Sequence, residues 1–256
     1  MKIVKNKLSN VGKAPCDCEN LAGLPFIPSS PLPTKNFAML LSGSPGSGKT
    51  NLLIQLLMSH STKKVKKNKY YYGFFDKIEL ISPSLATLPE AFKKNLDDSQ
   101  KHNKFSDELI EKIINEFYNG ENTNNLLLLD DCIKNINRSK ILSKIFLNRR
   151  HICQNNDKIT EENPYTASLS IIVTSQKFSL LPLEFRAALS DIIIFKSSNK
   201  SEINRIKDEL LFDLSPEDQD KLLNESWRLP YSFLYIKPNN TLENKYFIKF
   251  DKVVFN

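Results

Sequence analysis

The chain has 256 residues, of which 40% are hydrophobic and 25% charged, ordinary values for a soluble globular protein with one large domain and a sizeable core. The net charge is +7, carried mostly by lysine in an asparagine-rich background, so an anionic partner is compatible with the charge without being demanded by it. No stretch is long enough to span a bilayer, MKIVKNKLSN lacks the apolar core of a signal peptide, and Cys16, Cys18, Cys132 and Cys153 form no paired C-x-x-C, which excludes a membrane-spanning or zinc-ribbon reading and leaves an intracellular, soluble protein with free thiols and no membrane partner as the expectation.

Residues 1–35 stand apart by composition. Pro25, Pro28, Pro31 and Pro33 favour extended structure, so this region reads as an arm, either wrapped over the core or docked on a neighbouring subunit. The core is assigned to 36–228. It opens with an apolar strand at 37–41, a glycine-rich loop, and a helix that carries Leu52, Leu53, Leu56 and Leu57 at helical spacing and runs to about residue 59 or 60.

The loop Gly43-Ser44-Pro45-Gly46-Ser47-Gly48-Lys49-Thr50 fits G-x-x-x-x-G-K-[ST] without a mismatch, in the strand–loop–helix context that the pattern requires. Glycines let successive backbone N–H groups turn inward as an anion nest, and the helix that follows aims its positive end at the same place. Lys49 supplies a point charge for β- and γ-phosphates, and the Thr50 hydroxyl is positioned for Mg²⁺. The candidate nucleotide-binding residues are therefore 43–50 together with Asn51 at the start of the helix.

Lysines at 63, 64, 66, 67 and 69 precede Tyr70-Tyr71-Tyr72, a solvated loop or a nucleic-acid contact with tyrosines able to stack on bases. A strand follows at 77–82, then helices at 88–96 and 107–118, the second stopped by Asn119-Gly120. Asn125-Leu126-Leu127-Leu128-Leu129-Asp130-Asp131 is a strand that delivers two acids to its C-terminal end, the edge where open α/β sheets bind ligands. A helix at 138–147 leads into Asn148-Arg149-Arg150-His151, and a polar loop covers 155–167. A buried strand at 170–176 ends in Thr174-Ser175-Gln176. A short helix at 183–189, a strand at 191–195, a helix at 201–211 and a helix opened by Ser215-Pro216 come next. Two strands at 231–236 and 245–250 flank Pro238-Asn239-Asn240-Thr241 as a hairpin, so 229–256 adds antiparallel strands at one edge of the same domain. The fold class is α/β, a mostly parallel central sheet flanked by helices with this hairpin at its edge.

A phosphate-binding loop that supports hydrolysis needs an acid for the metal and a group that prepares water. Asp130 is the candidate for the Mg²⁺ site with Thr50, and Asp131 for the base. Gln176 is the candidate for sensing the γ-phosphate or positioning water. Arg149, Arg150 and Arg186 are the candidates for an arginine finger supplied across a subunit interface, and His151 reads as a packing or capping residue.

Assembled in this order, GSPGSGKT, LLLLDD, the Arg-Arg-His segment and IIVTSQ followed by Leu181-Pro182-Leu183-Glu184-Phe185-Arg186 resemble the poxvirus-type genome-packaging ATPases within the FtsK–HerA superfamily, over roughly residues 37–195. The resemblance implies an ATP-driven, Mg²⁺-dependent motor. It would form a homo-oligomeric ring, translocate double-stranded DNA into a preformed capsid, and meet capsid or portal-vertex proteins in a viral factory of the host cytoplasm or in the virion. In family members the Arg-His segment usually runs quickly into the next strand, whereas here 155–167 intervenes, which brings Arg186 forward as the alternative finger. Two other readings remain open on the residues alone: a P-loop nucleotide or nucleoside kinase, and a nucleotide-gated DNA-binding scaffold without productive turnover.

Overall fold

In the computed structural model, which describes residues 24–58, 70–121, 124–155 and 167–255, the apolar run before the glycine-rich loop is strand β1 (Ala38–Ser42), buried along its length. β2 (Lys77–Ile81), β3 (Lys101–His102), β4 (Asn124–Leu129), β5 (Ser168–Ser175) and β6 (Asp191–Phe195) complete its parallel part, and β7 (Phe233–Ile236), β8 (Tyr246–Ile248) and β9 (Asp251–Lys252) add antiparallel strands beyond β6. The strand order is β3-β2-β4-β5-β1-β6-β7-β8-β9. The expected mostly parallel, helix-flanked sheet with an antiparallel C-terminal edge is thus the fold observed.

The helices are α1 (Lys49–Met58), α2 (Glu90–Lys93), α3 (Asp107–Asn119), α4 (Ile133–Ile136), α5 (Lys140–Asn148), α6 (Leu183–Ala187), α7 (Lys200–Leu210) and α8 (Pro216–Ser226). Four of them start on a side-chain cap: Ser106, Ser139, Asn199 and Ser215 each accept a backbone N–H of the first turn. Successive strand residues point to opposite faces, so each strand feeds two cores. Leu40, Leu127, Leu129, Ile171 and Val173 pack with α3, α5, α7 and α8 on one face. Met39, Leu41, Leu128 and Ile172 pack with α1 and an aromatic group around Phe37, Tyr71 and Phe74 on the other. Burial on both faces is why these strands read as continuous apolar runs. Among the described residues no helix is long and apolar enough to cross a membrane.

Several local expectations are corrected. The helix at 88–96 contracts to α2, because Pro89 precedes it and a capping box between Asp97 and Gln100 starts a new turn. Strand β7 starts at Phe233, since Tyr231 has φ 59° and lies in a turn in which Ser232 N–H donates to Leu229 O at 3.2 Å. The second hairpin strand ends at Ile248, where Lys249, at φ 56°, turns the chain into β9. Tyr71 is unavailable for a nucleic-acid base: it is buried against Phe37 and Phe74, and its hydroxyl donates to Pro33 O at 2.8 Å. The described part of the arm lies on the chain's own core, with Phe26 edge-on to Phe74 and Pro31 O accepting from Tyr235 and Lys237. Residues 1–23 with Cys16 and Cys18, the lysines at 63–69, the expected end of the first helix at 59–60 and most of the 155–167 loop lie outside the described residues.

Candidate nucleotide-binding site

The strand order decides what meets the glycine-rich loop. β5 lies between β1 and β4, so three strand ends converge: the loop after β1, Asp130 and Asp131 after β4, and Gln176 after β5. Parallel strands make this possible because all their C-terminal ends fall on one edge. Gly43 N–H donates to Ser175 O at 3.1 Å and ties the loop to β5.

Within the loop, Gly46 has φ 77° and Gly48 φ 104°, conformations that L side chains rarely adopt. A Cβ on Gly43 would meet Ser47 Oγ at 2.6 Å and Phe195 Cβ at 2.7 Å, so this position has no room for a larger residue. Helix α1 is engaged from its start, with Leu52 N–H donating to Gly48 O at 2.8 Å. The Lys49 ammonium donates to Gly43 O at 2.5 Å and to Ser44 O at 3.1 Å. Burial lowers its pKa below the usual lysine value, while the nearby Asp130 and Asp131 carboxylates pull it back up.

Asp130 is buried, 6% exposed, and both its oxygens are used. Oδ1 accepts from the Thr174 hydroxyl at 2.7 Å and Oδ2 from the Ser82 hydroxyl at 2.9 Å. Asp131 is exposed, with φ 54°, and its N–H donates to Thr174 Oγ1 at 3.0 Å. Aspartate tolerates this left-handed region better than most residues. One hydroxyl of β5 therefore touches both aspartates, while Ser82 holds the second oxygen of Asp130. Gln176 is exposed at the tip of that strand, and the turn after it is held from α7: the buried Glu202 carboxylate accepts the N–H groups of Phe178 and Ser179. Ser82, Thr174 and Glu202 are supporting groups that local pattern does not single out; a hydroxyl at the end of each neighbouring strand is the only signal for the first two.

These residues fit a nucleoside triphosphate with Mg²⁺. Among the described residues the Ser47 hydroxyl is buried without a hydrogen-bond partner, a Cβ at Gly43 has no room, and the hydrogen bonds of the Lys49 ammonium go to carbonyls of its own loop, which phosphate oxygens can replace. Thr50 and Asp130 would hold the cation. Among the described residues no group of three or more His, Cys, Asp or Glu side chains converges as a metal cage.

The three arginines are placed differently. Arg149 is buried, with Nε donating to Asn36 O at 2.9 Å and Nη1 to Phe146 O at 2.8 Å. Burial and the adjacent Arg150 lower its pKa to about 10, against the pull of Asp191. Asn36 precedes β1 and the loop follows it, so Arg149 sits at the opposite edge of the sheet, roughly 16 Å of strand away from its own loop. Arg150, beside it, is exposed. Arg186 pairs with Glu209, Nε to Oε2 at 2.8 Å and Nη2 to Oε1 at 3.0 Å. His151 is exposed, its Nδ1 3.0 Å from Gln154 Oε1.

No family model and no curated protein matches the sequence. Solved structures do match in fold. The genome packaging NTPase B204 from Sulfolobus turreted icosahedral virus 2, in complex with sulfate, superposes with a TM-score of 0.56 at 16% identity over 87% of this chain and 99% of that one. B204, the DNA-packaging ATPase from Sulfolobus turreted icosahedral virus, gives a TM-score of 0.54 at 15% identity over 86% and 99%. The pCW3 conjugation coupling protein TcpA, with ATPγS, gives 0.50 at 10% identity over 85% of this chain and 62% of that one. The chain thus shares its fold with these packaging NTPases and with this coupling protein.

Proposed function

We propose that this chain is a Mg²⁺-dependent ATPase motor of the poxvirus-type packaging group in the FtsK–HerA superfamily. It works as a homo-oligomeric ring that moves double-stranded DNA into a capsid, with capsid or portal-vertex proteins as its further partners, in a viral factory or the virion. The observation that carries the reading is the convergence of Lys49 with Asp130 and Asp131 across β5, under one latch at Thr174. The shared fold of packaging NTPases supports the motor part.

In this reading Lys49 exchanges the carbonyls of Gly43 and Ser44 for phosphate oxygens, joined by the amides of Gly46, Gly48, Lys49 and Thr50 and the Ser47 hydroxyl. Thr50 and Asp130 would hold Mg²⁺, which would supply charge neutralisation at the phosphates. Asp131, exposed beside the buried Asp130, accepts the proton of the attacking water, and Gln176 orients that water from the tip of β5. Arg150 is the finger for a neighbouring subunit's site: of the three candidates it is the exposed one, whereas Arg149 and Arg186 are bound within their own chain.

The test is ATP hydrolysis with and without duplex DNA, with Asp131→Asn as the diagnostic variant. We expect DNA to stimulate turnover, and Asp131→Asn to retain ATP binding while losing about 10²–10⁴-fold in kcat. Turnover that ignores DNA and depends on a small phosphoryl acceptor would replace the motor with a kinase. Unchanged DNA handling in Asp131→Asn would leave a nucleotide-gated scaffold.

A further inference from the structure

Between the buried Trp227 and the start of β7, four consecutive residues, Arg228, Leu229, Pro230 and Tyr231, are exposed beside the glycine-rich loop. The segment is tied down at both ends. Trp227 Nε1–H donates to Ile194 O of β6 at 3.2 Å, and Phe233, at the start of β7, pairs with Phe195 of β6. Tyr231 is held at φ 59°, an outlying conformation for a bulky residue, and a Cβ on Gly48 would meet its Cδ1 at 3.2 Å. Its ring thus lies against the loop, yet Tyr231 is 69% exposed and Leu229 55%. Two anchored ends and a strained backbone fix an aromatic face in solvent, an arrangement that packing does not require.

Tyr231 divides the space around the loop. On one side a cavity of about 510 Å³ is bounded by Gly46, Gly48, Lys49, Thr50 and Asn51 with the tyrosine. On the other a cavity of about 530 Å³ runs between Ser44–Ser47 of the loop and the 227–232 segment. Both volumes fall in the range of small-molecule sites, roughly 300–1,000 Å³. The sheet supplies the direction. The acids leave β4, on the β5 side of β1, so a terminal phosphate that meets them would face that side. The nucleoside would then leave the phosphate chain toward β6 and β7, where this segment stands.

We infer that residues 228–231 form the nucleobase seat of this site, with the Tyr231 ring as the stacking platform and Leu229 and Pro230 as its apolar wall. The inference rests on the nucleotide reading of the glycine-rich loop. The ligand class is a nucleoside triphosphate recognised by the face of its base, an interaction open to any base because every base has a π-face. Gly48 serves this geometry too, since a side chain there would push into the ring.

The experiment compares ATP with inorganic tripolyphosphate, which has the phosphates and no base, in calorimetric titrations with Mg²⁺ of the full chain and of Tyr231→Gly and Tyr231→Phe. Glycine removes the ring and also relieves the left-handed φ, so the fold is kept, and thermal melting checks it. We expect Tyr231→Gly to bind ATP about 5- to 150-fold more weakly and tripolyphosphate as the wild type does, and Tyr231→Phe to bind both as the wild type does. ATP affinity unchanged in Tyr231→Gly overturns the seat and leaves the nucleotide reading standing. Equal weakening toward both ligands overturns it as well, because the ring would then act through the loop. A wild-type chain that binds neither ligand overturns the nucleotide reading and the seat together.

Discussion

Thr174 Oγ1 donates to Asp130 Oδ1 at 2.7 Å and accepts the N–H of Asp131 at 3.0 Å, so one hydroxyl of β5 sets both acids of β4. Thr174→Val keeps the shape and removes both bonds, which leaves a buried carboxylate oxygen and an amide short of a partner at a cost of about 1–3 kcal/mol. We expect kcat for ATP to fall at least about tenfold with KM little changed, since the glycine-rich loop is untouched. Thr174→Ser restores the hydroxyl and should recover most of the rate. Steady-state hydrolysis with melting curves as a control measures this.

Arg149 and Arg150 are neighbours in sequence with opposite burial, and their alanine variants should separate. Arg149→Ala strands the carbonyls of Asn36 and Phe146 and empties a buried position, for a loss of about 2–4 kcal/mol in denaturant unfolding. Arg150→Ala should leave stability within about 0.5 kcal/mol while turnover of the assembled protein drops about 10³-fold or more. Mixing Arg150→Ala with Lys49→Ala subunits should restore part of the activity, because each supplies what the other lacks.

Asp191 is fully buried at the start of β6, where its carboxylate accepts from the Tyr235 hydroxyl and lies 3.6 Å from Lys237 Nζ. Burial raises its pKa above the ordinary 3.8, and Lys237 and the Tyr235 hydroxyl oppose the rise. A folded-state pKa above the unfolded one means that the protonated form favours folding; this contribution is complete below the unfolded value and is lost as pH climbs through the folded one. Asp191→Asn copies the neutral form. The variant should therefore compare best with the wild type at pH 7 and lose ground as pH falls toward 4, in parallel urea titrations at each pH.

Cys132 and Cys153 are buried free thiols, and burial pushes the Cys153 thiol up to about 12. Thiolate is the reactive form, so neither should be alkylated in the native protein at pH 8. Peptide mapping after iodoacetamide treatment should find both unlabelled until denaturant is added.

The glycine-rich loop between strand and helix, the acid pair at a strand end and the strands β1, β4, β5 and β6 were legible in the sequence because each is set by a few consecutive residues. A fixed glycine spacing makes the nest, and an unbroken apolar run marks a strand covered on both faces. The capped helices were legible for the same reason, as was the antiparallel edge. Elements too short to carry a period were not: β3, β9 and α4 escape notice, and the 88–96 pattern overstates α2, since Pro89 and the Asp97–Gln100 box outweigh its apolar spacing. By itself, then, the sequence determined which residues form the glycine-rich turn between strand and helix and which acids leave a strand end. Only the tertiary structure decided that β5 stands between β1 and β4, that Thr174 latches two acids more than forty residues before it, that Arg149 is locked to Asn36, and that Tyr231 leans on Gly48. The physical reason is range: cradle and strand are written in local backbone and burial preferences, whereas a latch, a buried arginine and a ring against a loop exist only once strand order and register bring distant residues to the same edge.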